Sequence, residues 1–297
     1  MPGRMLVGVD GSAGSREALR WAVEEATVRG AAIEALIAWQ SSYDFGELIY
    51  FPVDESKTAR SASEQLTASV ADVAGPQPVL EIDPVVVKGD PAATLCARTI
   101  DFDLLVVGSR GHRTFAELLL GSVSSKCARH RSCPVTIIPM HHATPPSSAT
   151  ASRARIVVGV DGSPGSLRAL GWALEEGTAR RARVEAVCVW HGSEGDSALE
   201  IPNLADIHGE ERATDSGRER LAGAIAEVTD AHRGVEVEAR VLQGDPAQTL
   251  CNLREDADLL VVGSRGHGTF DGLLLGSVSS KCAHHSPGPM VIISIAE

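Results

Sequence analysis

One string occurs twice in this chain and constrains any fold it can take. Gly108-Ser-Arg-Gly111 is followed after nine residues by Gly121-Ser122, and Gly263-Ser-Arg-Gly266 is followed after nine by Gly276-Ser277. An apolar run precedes each first glycine, Leu104-Leu-Val-Val107 and Leu259-Leu-Val-Val262, and the string Leu-Leu-Leu-Gly-Ser-Val-Ser-Ser-Lys-Cys spans each last one. A single Gly-x-x-Gly marks a turn more often than a site. Two copies with the same gaps require a geometry held in both, because an unconstrained loop drifts. The pattern predicts a strand, a glycine loop and a helix start. Glycine permits positive φ or close approach to a ligand, and a helix opened by Gly-Ser offers unpaired N–H groups at the positive end of its dipole. A phosphate chain is the expected guest.

The repeat extends over the whole chain and sets the domain count. Leu6-Val-Gly-Val-Asp-Gly-Ser12 returns as Val157-Val-Gly-Val-Asp-Gly-Ser163, Trp21 as Trp172, Trp39 as Trp190, and Lys88-Gly-Asp-Pro91 as Gln243-Gly-Asp-Pro246. The offset is 151 up to the tryptophans and 155 after them, so four extra residues lie between Trp190 and Gly244, in a loop after the second strand. At 297 residues there is enough chain for two domains of ordinary size, each with its own core. The boundaries are 1–140 and 155–297, joined by a linker at 141–154 that is rich in Pro, Ser and Thr.

Within the first copy, strands are expected at Met5–Val9, Ala31–Trp39, Val79–Val87, Asp103–Val107 and Pro134–Ile138. A helix capped by Ser12 or Ser15 runs to Arg29, a second covers Glu55–Val73, a third starts at Asp90-Pro91, and a fourth covers Ser122–Arg131. Ser41–Asp54 is irregular, and the second copy repeats the order through Met290–Ile295. Strands that alternate with helices and are continuously apolar belong in a parallel sheet covered on both faces. The expected class is α/β, as two doubly wound, Rossmann-like domains.

Composition excludes several functions. A net charge of −12 is poorly suited to nucleic acid or an anionic membrane. No apolar run approaches the ~20 residues of a membrane span, and the N-terminus enters its first strand without a signal peptide, so a cytoplasmic location is expected. Of six cysteines, Cys96 and Cys251 match between copies, as do Cys127 and Cys282, in positions that suit packed, reduced thiols. There is no Gly-x-x-x-x-Gly-Lys-Ser/Thr, no dinucleotide fingerprint and no Gly-x-Ser-x-Gly.

In a doubly wound sheet, ligands sit beyond the carboxyl ends of the strands where strand order reverses. If the first and fourth strands are neighbours there, Asp10 or Asp161 stands beside the glycine loop. Such a carboxylate either meets sugar hydroxyls, a base edge or a metal ion, or braces the Asp-Gly-Ser turn. The hydroxyls of Ser122, Ser124, Ser277 and Ser279 either add donors or cap the helix. Arg110 and Arg265 either neutralise phosphate or are solvated. Lys126 and Lys281 are expected on the surface, and His112 and His267 lack the second ligand of a metal site.

Together the glycine motif and the opening Val-Gly-Val-Asp-Gly-Ser resemble the universal stress protein family in its tandem-domain form. The resemblance implies a five-stranded parallel sheet of order 3-2-1-4-5 in each copy, with ATP between strands one and four. It assigns Asp10 and Asp161 to adenine or ribose, and the backbone at Trp39 and Trp190 to the base. Gly8, Val9 and Val107, with Gly159, Val160 and Val262, would line the adenine pocket. Gly108, Gly111, Gly121, Ser122, Val123 and Ser124, with Gly263, Gly266, Gly276, Ser277, Val278 and Ser279, would hold ribose and phosphates. It further implies pairing of the two copies about a pseudo-twofold axis through the Pro-Val-Thr-Ile-Ile and Pro-Met-Val-Ile-Ile strands, a homodimer of tandem chains, and a protein partner.

Three functions follow. The first is a nucleotide-dependent regulator with one ATP per domain and no enzymatic role. The second is a slow ATPase in which Asp10 and Asp161 hold magnesium and Arg110 and Arg265 stabilise charge. The third is a protein-interaction module with vestigial nucleotide sites.

Overall fold

The computed structural model describes residues 3–40, 54–75, 80–111, 120–129, 132–140, 154–190, 204–229, 234–266 and 275–294. The expected irregular stretch Ser41–Asp54 and the linker at 141–154 lie outside them except for Asp54 and Ala154. The chain divides into two compact units, Met1–His142 and Ala143–Ile295.

In the first unit, β1 (Arg4–Gly8) is followed by α1 (Ala13–Arg29), β2 (Ala32–Trp39), α2 (Glu55–Ala74), β3 (Ile82–Lys88), α3 (Pro91–Arg98), β4 (Leu104–Gly108), α4 (Ser122–Cys127) and β5 (Val135–Ile138). β1 lies between β2 and β4, β3 flanks β2 and β5 flanks β4, all in parallel. The second unit contains β6 (Arg155–Gly159), α5 (Pro164–Arg180), β7 (Arg183–Trp190), α6 (Leu204–Thr229), β8 (Val237–Gln243), α7 (Pro246–Arg254), β9 (Leu259–Gly263), α8 (Ser277–His285) and β10 (Met290–Ile293). Its pairings repeat the first: β6 between β7 and β9, with β8 on β7 and β10 on β9.

The central strands are apolar without alternation because both faces of each sheet are covered. Leu6, Val7, Leu105 and Val106 are fully buried, and so are Val157, Val158, Leu260 and Val261. In the first unit, α1 packs on β1 and β4 and α2 on β2 and β3, while α3 crosses β2 and touches α4. β3 pairs only with β2 among the described strands and admits Pro84, as the edge of a sheet allows.

Among the described strands, two carboxylates are buried. Glu34 on β2 is buried, with Arg98 Nη2 at 2.5 Å. Glu185 on β7 is buried between Arg155 at 2.8 Å and Arg240 at 2.6 Å. An unpaired buried carboxylate would cost several kcal/mol, so in each copy the arginines make the position tenable. No described helix is long and apolar enough to cross a membrane.

Candidate functional site

Strand order reverses between β1 and β4, whose neighbours lead away in opposite directions, and a cavity opens at their carboxyl ends. In the first unit its volume is about 310 Å³, and in the second, between β6 and β9, about 580 Å³. Both fall within the roughly 300–1,000 Å³ of small-molecule sites.

The glycine loop forms one wall and is held by its own backbone. Ser109 N–H donates to the Ile138 carbonyl at 2.7 Å, and the Ser109 carbonyl accepts Gly121 N–H at 2.6 Å. The second copy repeats this: Ser264 N–H to the Ile293 carbonyl at 2.8 Å, and Gly276 N–H to the Ser264 carbonyl at 2.7 Å. The buried Ser124 hydroxyl lies 3.1 Å from the Ser109 and Gly121 carbonyls, and the Ser279 hydroxyl 2.9 Å from Ser264 O and 3.1 Å from Gly276 O. These two hydroxyls pin the loop to its helix, where the sequence offers them as ligand donors.

The glycines have identifiable causes. A Cβ at Gly108 would sit 2.7 Å from the Gly14 backbone, and one at Gly14 would sit 2.5 Å from the Arg110 carbonyl, so the end of β4 presses on the first turn of α1. Gly263 meets Gly165 in the same way, at 2.8 Å. Gly111 and Gly266 lie against Oδ2 of Asp10 and Asp161, leaving no room for a side chain. Close backbone approach, rather than positive φ, is therefore what these positions require.

Asp10 and Asp161 each accept the N–H of the serine two residues on, at 2.9 Å through Oδ1. The turn-bracing role is thus real, and both residues also line their cavities. Each is the one carboxylate among the described residues of its lining.

The helix starts differ in kind. α1, α3, α5 and α7 carry Ser12, Asp90, Ser163 and Asp245 as N-caps, whose side chains accept from the first turn. α4 and α8 begin at Gly121 and Gly276 with no side-chain cap. Ser122 and Ser277 stand one residue too late to cap and are exposed. The first N–H groups of these helices have no intrahelical acceptor, and their residues, Ser122, Val123 and Ser124 or Ser277, Val278 and Ser279, line the cavity.

Around the first cavity the structure gathers Gly8, Val9, Asp10, Val107, Gly108, Arg110, Gly111, Gly121, Ser122, Val123 and Ser124. Around the second it gathers Gly159, Val160, Asp161, Val262, Gly263, Arg265, Gly266, Gly276, Ser277, Val278 and Ser279. Trp39 and Trp190 are not among the lining residues. Side chains alternate along a strand: Leu36 and Ala38 reach the cavity from β2, and Val187 and Val189 from β7, which puts the tryptophans on the other face. Their carbonyls are also engaged, by Gly89 N–H at 2.9 Å and Gly244 N–H at 3.0 Å, and Lys88 Nζ lies 5.6 Å from the Trp39 ring.

Sequence reasoning misses Leu36, Ala38, Val187 and Val189, together with Pro91 and Leu95 on α3, Pro246 and Leu250 on α7, and Ser15 and Ser166. The repeated Gly-Asp-Pro was a usable signal, because it starts the helix whose next turn carries the leucine. Arg110 is half-buried and Arg265 exposed, while Lys126 is exposed and Lys281 pairs with Asp245 at 3.1 Å. His112 and His267 lie outside the described residues.

The model of the universal stress protein family matches residues 1–139 and again 153–294. The chain belongs to the universal stress protein family. A universal stress protein of Mycolicibacterium smegmatis is 33% identical over 296 residues, covering 97% of this chain and 96% of the relative. One of Mycobacterium tuberculosis is 30% identical over 292 residues, covering 97% and 96%. The crystal structure of a universal stress protein from Archaeoglobus fulgidus shares the fold across 100% of this chain and 98% of its own, with a TM-score of 0.67 at 22% identity. Two family segments in one chain make this a tandem member.

Proposed function

We propose that each universal stress protein domain binds one ATP, and that the chain acts as a nucleotide-dependent regulator in the stress response. The observation that carries this reading is the pairing, in one cavity, of an apolar end with an uncapped helix start. Val9, Leu36, Ala38, Leu95 and Val107 offer a planar base a place out of water, and the first N–H groups of α4 face the same space. Backbone donors at the positive end of a helix dipole suit phosphate oxygens, with Arg110 and Arg265 beside them. Asp10 and Asp161 accept hydrogen bonds, so a ribose hydroxyl or adenine amino group is the fitting partner, whereas a phosphate would be repelled. The second cavity repeats every element of this, with Val160, Val187, Val189, Leu250 and Val262 at its apolar end.

The slow-ATPase alternative asks Asp10 and Asp161 to hold magnesium, and each already has one oxygen engaged by its own turn. The geometry therefore supports binding better than turnover. Filling the apolar ends with Ala38→Phe and Val189→Phe tests the placement without touching the loop. ATP affinity should fall at least about tenfold, a difference of about 1.4 kcal/mol, while the circular dichroism spectrum is unchanged. Unaltered ATP binding in the double variant would refute the site. Single-turnover assays of the wild type should recover intact ATP, and steady ADP release would instead favour the enzyme.

A further inference from the structure

Cys96 on α3 and Cys127 on α4 face each other with their sulfur atoms 3.9 Å apart. At the matching positions of the second domain, Cys251 on α7 stands beside Cys282 on α8, whose thiol also donates to the Ala247 carbonyl at 3.7 Å. Each pair has an inner and an outer sulfur. Cys127 and Cys282 are fully buried, Cys96 is half-buried, and Cys251, buried at 8% exposure, lies on the wall of a surface cavity of about 370 Å³ that Asp245, Lys281 and His285 also line. The remaining cysteines, Cys133 and Cys188, are also buried, but their counterparts in the other copy are Gly288 and Ile37. A small apolar residue suffices where a thiol only fills space, and at those two sites the copies have diverged accordingly. Paired cysteines kept in both domains, with one member of each pair nearer the surface than the other, are more than packing requires.

We propose that Cys251 with Cys282, and Cys96 with Cys127, are dithiol–disulfide couples oxidised by hydroperoxides, with Cys251 and Cys96 attacking and Cys282 and Cys127 resolving. In the first step the outer thiolate attacks a peroxide oxygen. The S–O bond forms, the O–O bond breaks, and the leaving hydroxide takes up the thiol's proton as water, so sulfur is oxidised to a sulfenic acid and the peroxide reduced. In the second step the inner thiol attacks that sulfur. The S–S bond forms, the S–O bond breaks, and the hydroxyl leaves with the inner thiol's proton. Hydrogen peroxide and two thiols thus give one disulfide and two waters.

The hydrogen bonding suits these roles. In the second domain the contact with Cys282 holds the Cys251 thiol below its ordinary value, while that contact and burial push Cys282 up, which favours Cys251 as the attacking thiolate. Bridging Cys96 and Cys127 requires their sulfurs to approach from 3.9 Å to about 2.05 Å. The proposal does not depend on what occupies the β1–β4 cavity.

Peroxide treatment of the reduced full-length chain, then thiol alkylation and non-reducing peptide mass spectrometry, tests it. Both thiols of each pair should be lost together, with Cys251 joined to Cys282 and Cys96 to Cys127, and dithiothreitol should restore all four. In Cys282→Ser, dimedone should label Cys251 after peroxide, whereas in Cys251→Ser it should leave Cys282 unlabelled. Unchanged alkylation of the wild type, bridges that involve Cys133 or Cys188, or oxidation of single cysteines to sulfinic acid without bridging would overturn the proposal. The wild-type result stands alone should a serine variant fold poorly.

Discussion

Asp10 and Asp161 show how one side chain can carry a turn and a site together. Oδ1 takes the serine N–H that closes the Asp-Gly-Ser turn, and Oδ2 lies over Gly111 or Gly266, so the carboxylate is fixed before any ligand arrives. A different single residue distinguishes the two copies. α1 ends at Gly30 with φ of 65°, but the matching position at the end of α5 is Arg181, held at φ of 53°. A side chain in the left-handed region is strained by the clash of its Cβ with the following carbonyl, and glycine is not. Arg181→Gly should therefore stabilise the second domain by roughly 0.5–1 kcal/mol, read as a higher urea midpoint. A lower midpoint would show that the exposed arginine makes a compensating contact.

At the scale of elements, the contrast between capped and uncapped helices organises the site. Asp245 caps α7 through Gln248 N–H at 2.9 Å and also reaches Lys281 on α8. First that hydrogen bond and then the lysine hold its carboxyl below the usual range. A carboxyl depressed in the folded state contributes stability that is complete above its unfolded value near 3.9 and is lost as pH falls through the lower folded value. Asp245→Ala should cost about 1 kcal/mol at neutral pH, and the gap between variant and wild type should narrow as pH falls below about 3.9. A gap independent of pH would mean that the charge plays no part.

Most of these elements are legible in the sequence because their ends carry chemical signals: Ser12, Asp90-Pro91 and Gly30 begin or end helices where the structure has them. The sequence expects α4 to reach Arg131, but the helix ends at Cys127, where nothing in the pattern Lys-Cys-Ala-Arg announces a stop. The site is legible where its residues lie on the repeated glycine string and illegible where they arrive by packing. A strand covered on both faces has no apolar alternation, so nothing in Ala-Ile-Glu-Ala-Leu-Ile-Ala-Trp tells which parity faces the cavity. That is why the sequence does not single out Leu36 and Ala38, whereas Trp39 is named for its backbone through the family resemblance. Leu95 is likewise an ordinary helix leucine until α3 is placed across β2.

At the scale of the whole molecule, duplication is the dominant fact. Each domain has its own five parallel strands, its own loop pinned through Ser109 or Ser264, and its own cavity. The linings correspond position by position, with Leu36 and Ala38 replaced by Val187 and Val189, although the second cavity is larger, about 580 against 310 Å³. Binding confined to the folded state stabilises a domain by about 2.7 kcal/mol at a hundredfold excess over Kd, and both domains should show that gain. The most direct measurement is native mass spectrometry of the full chain incubated with excess ATP. The account predicts saturation at two nucleotides per chain, and a spectrum that stays at the mass of the protein alone would contradict it.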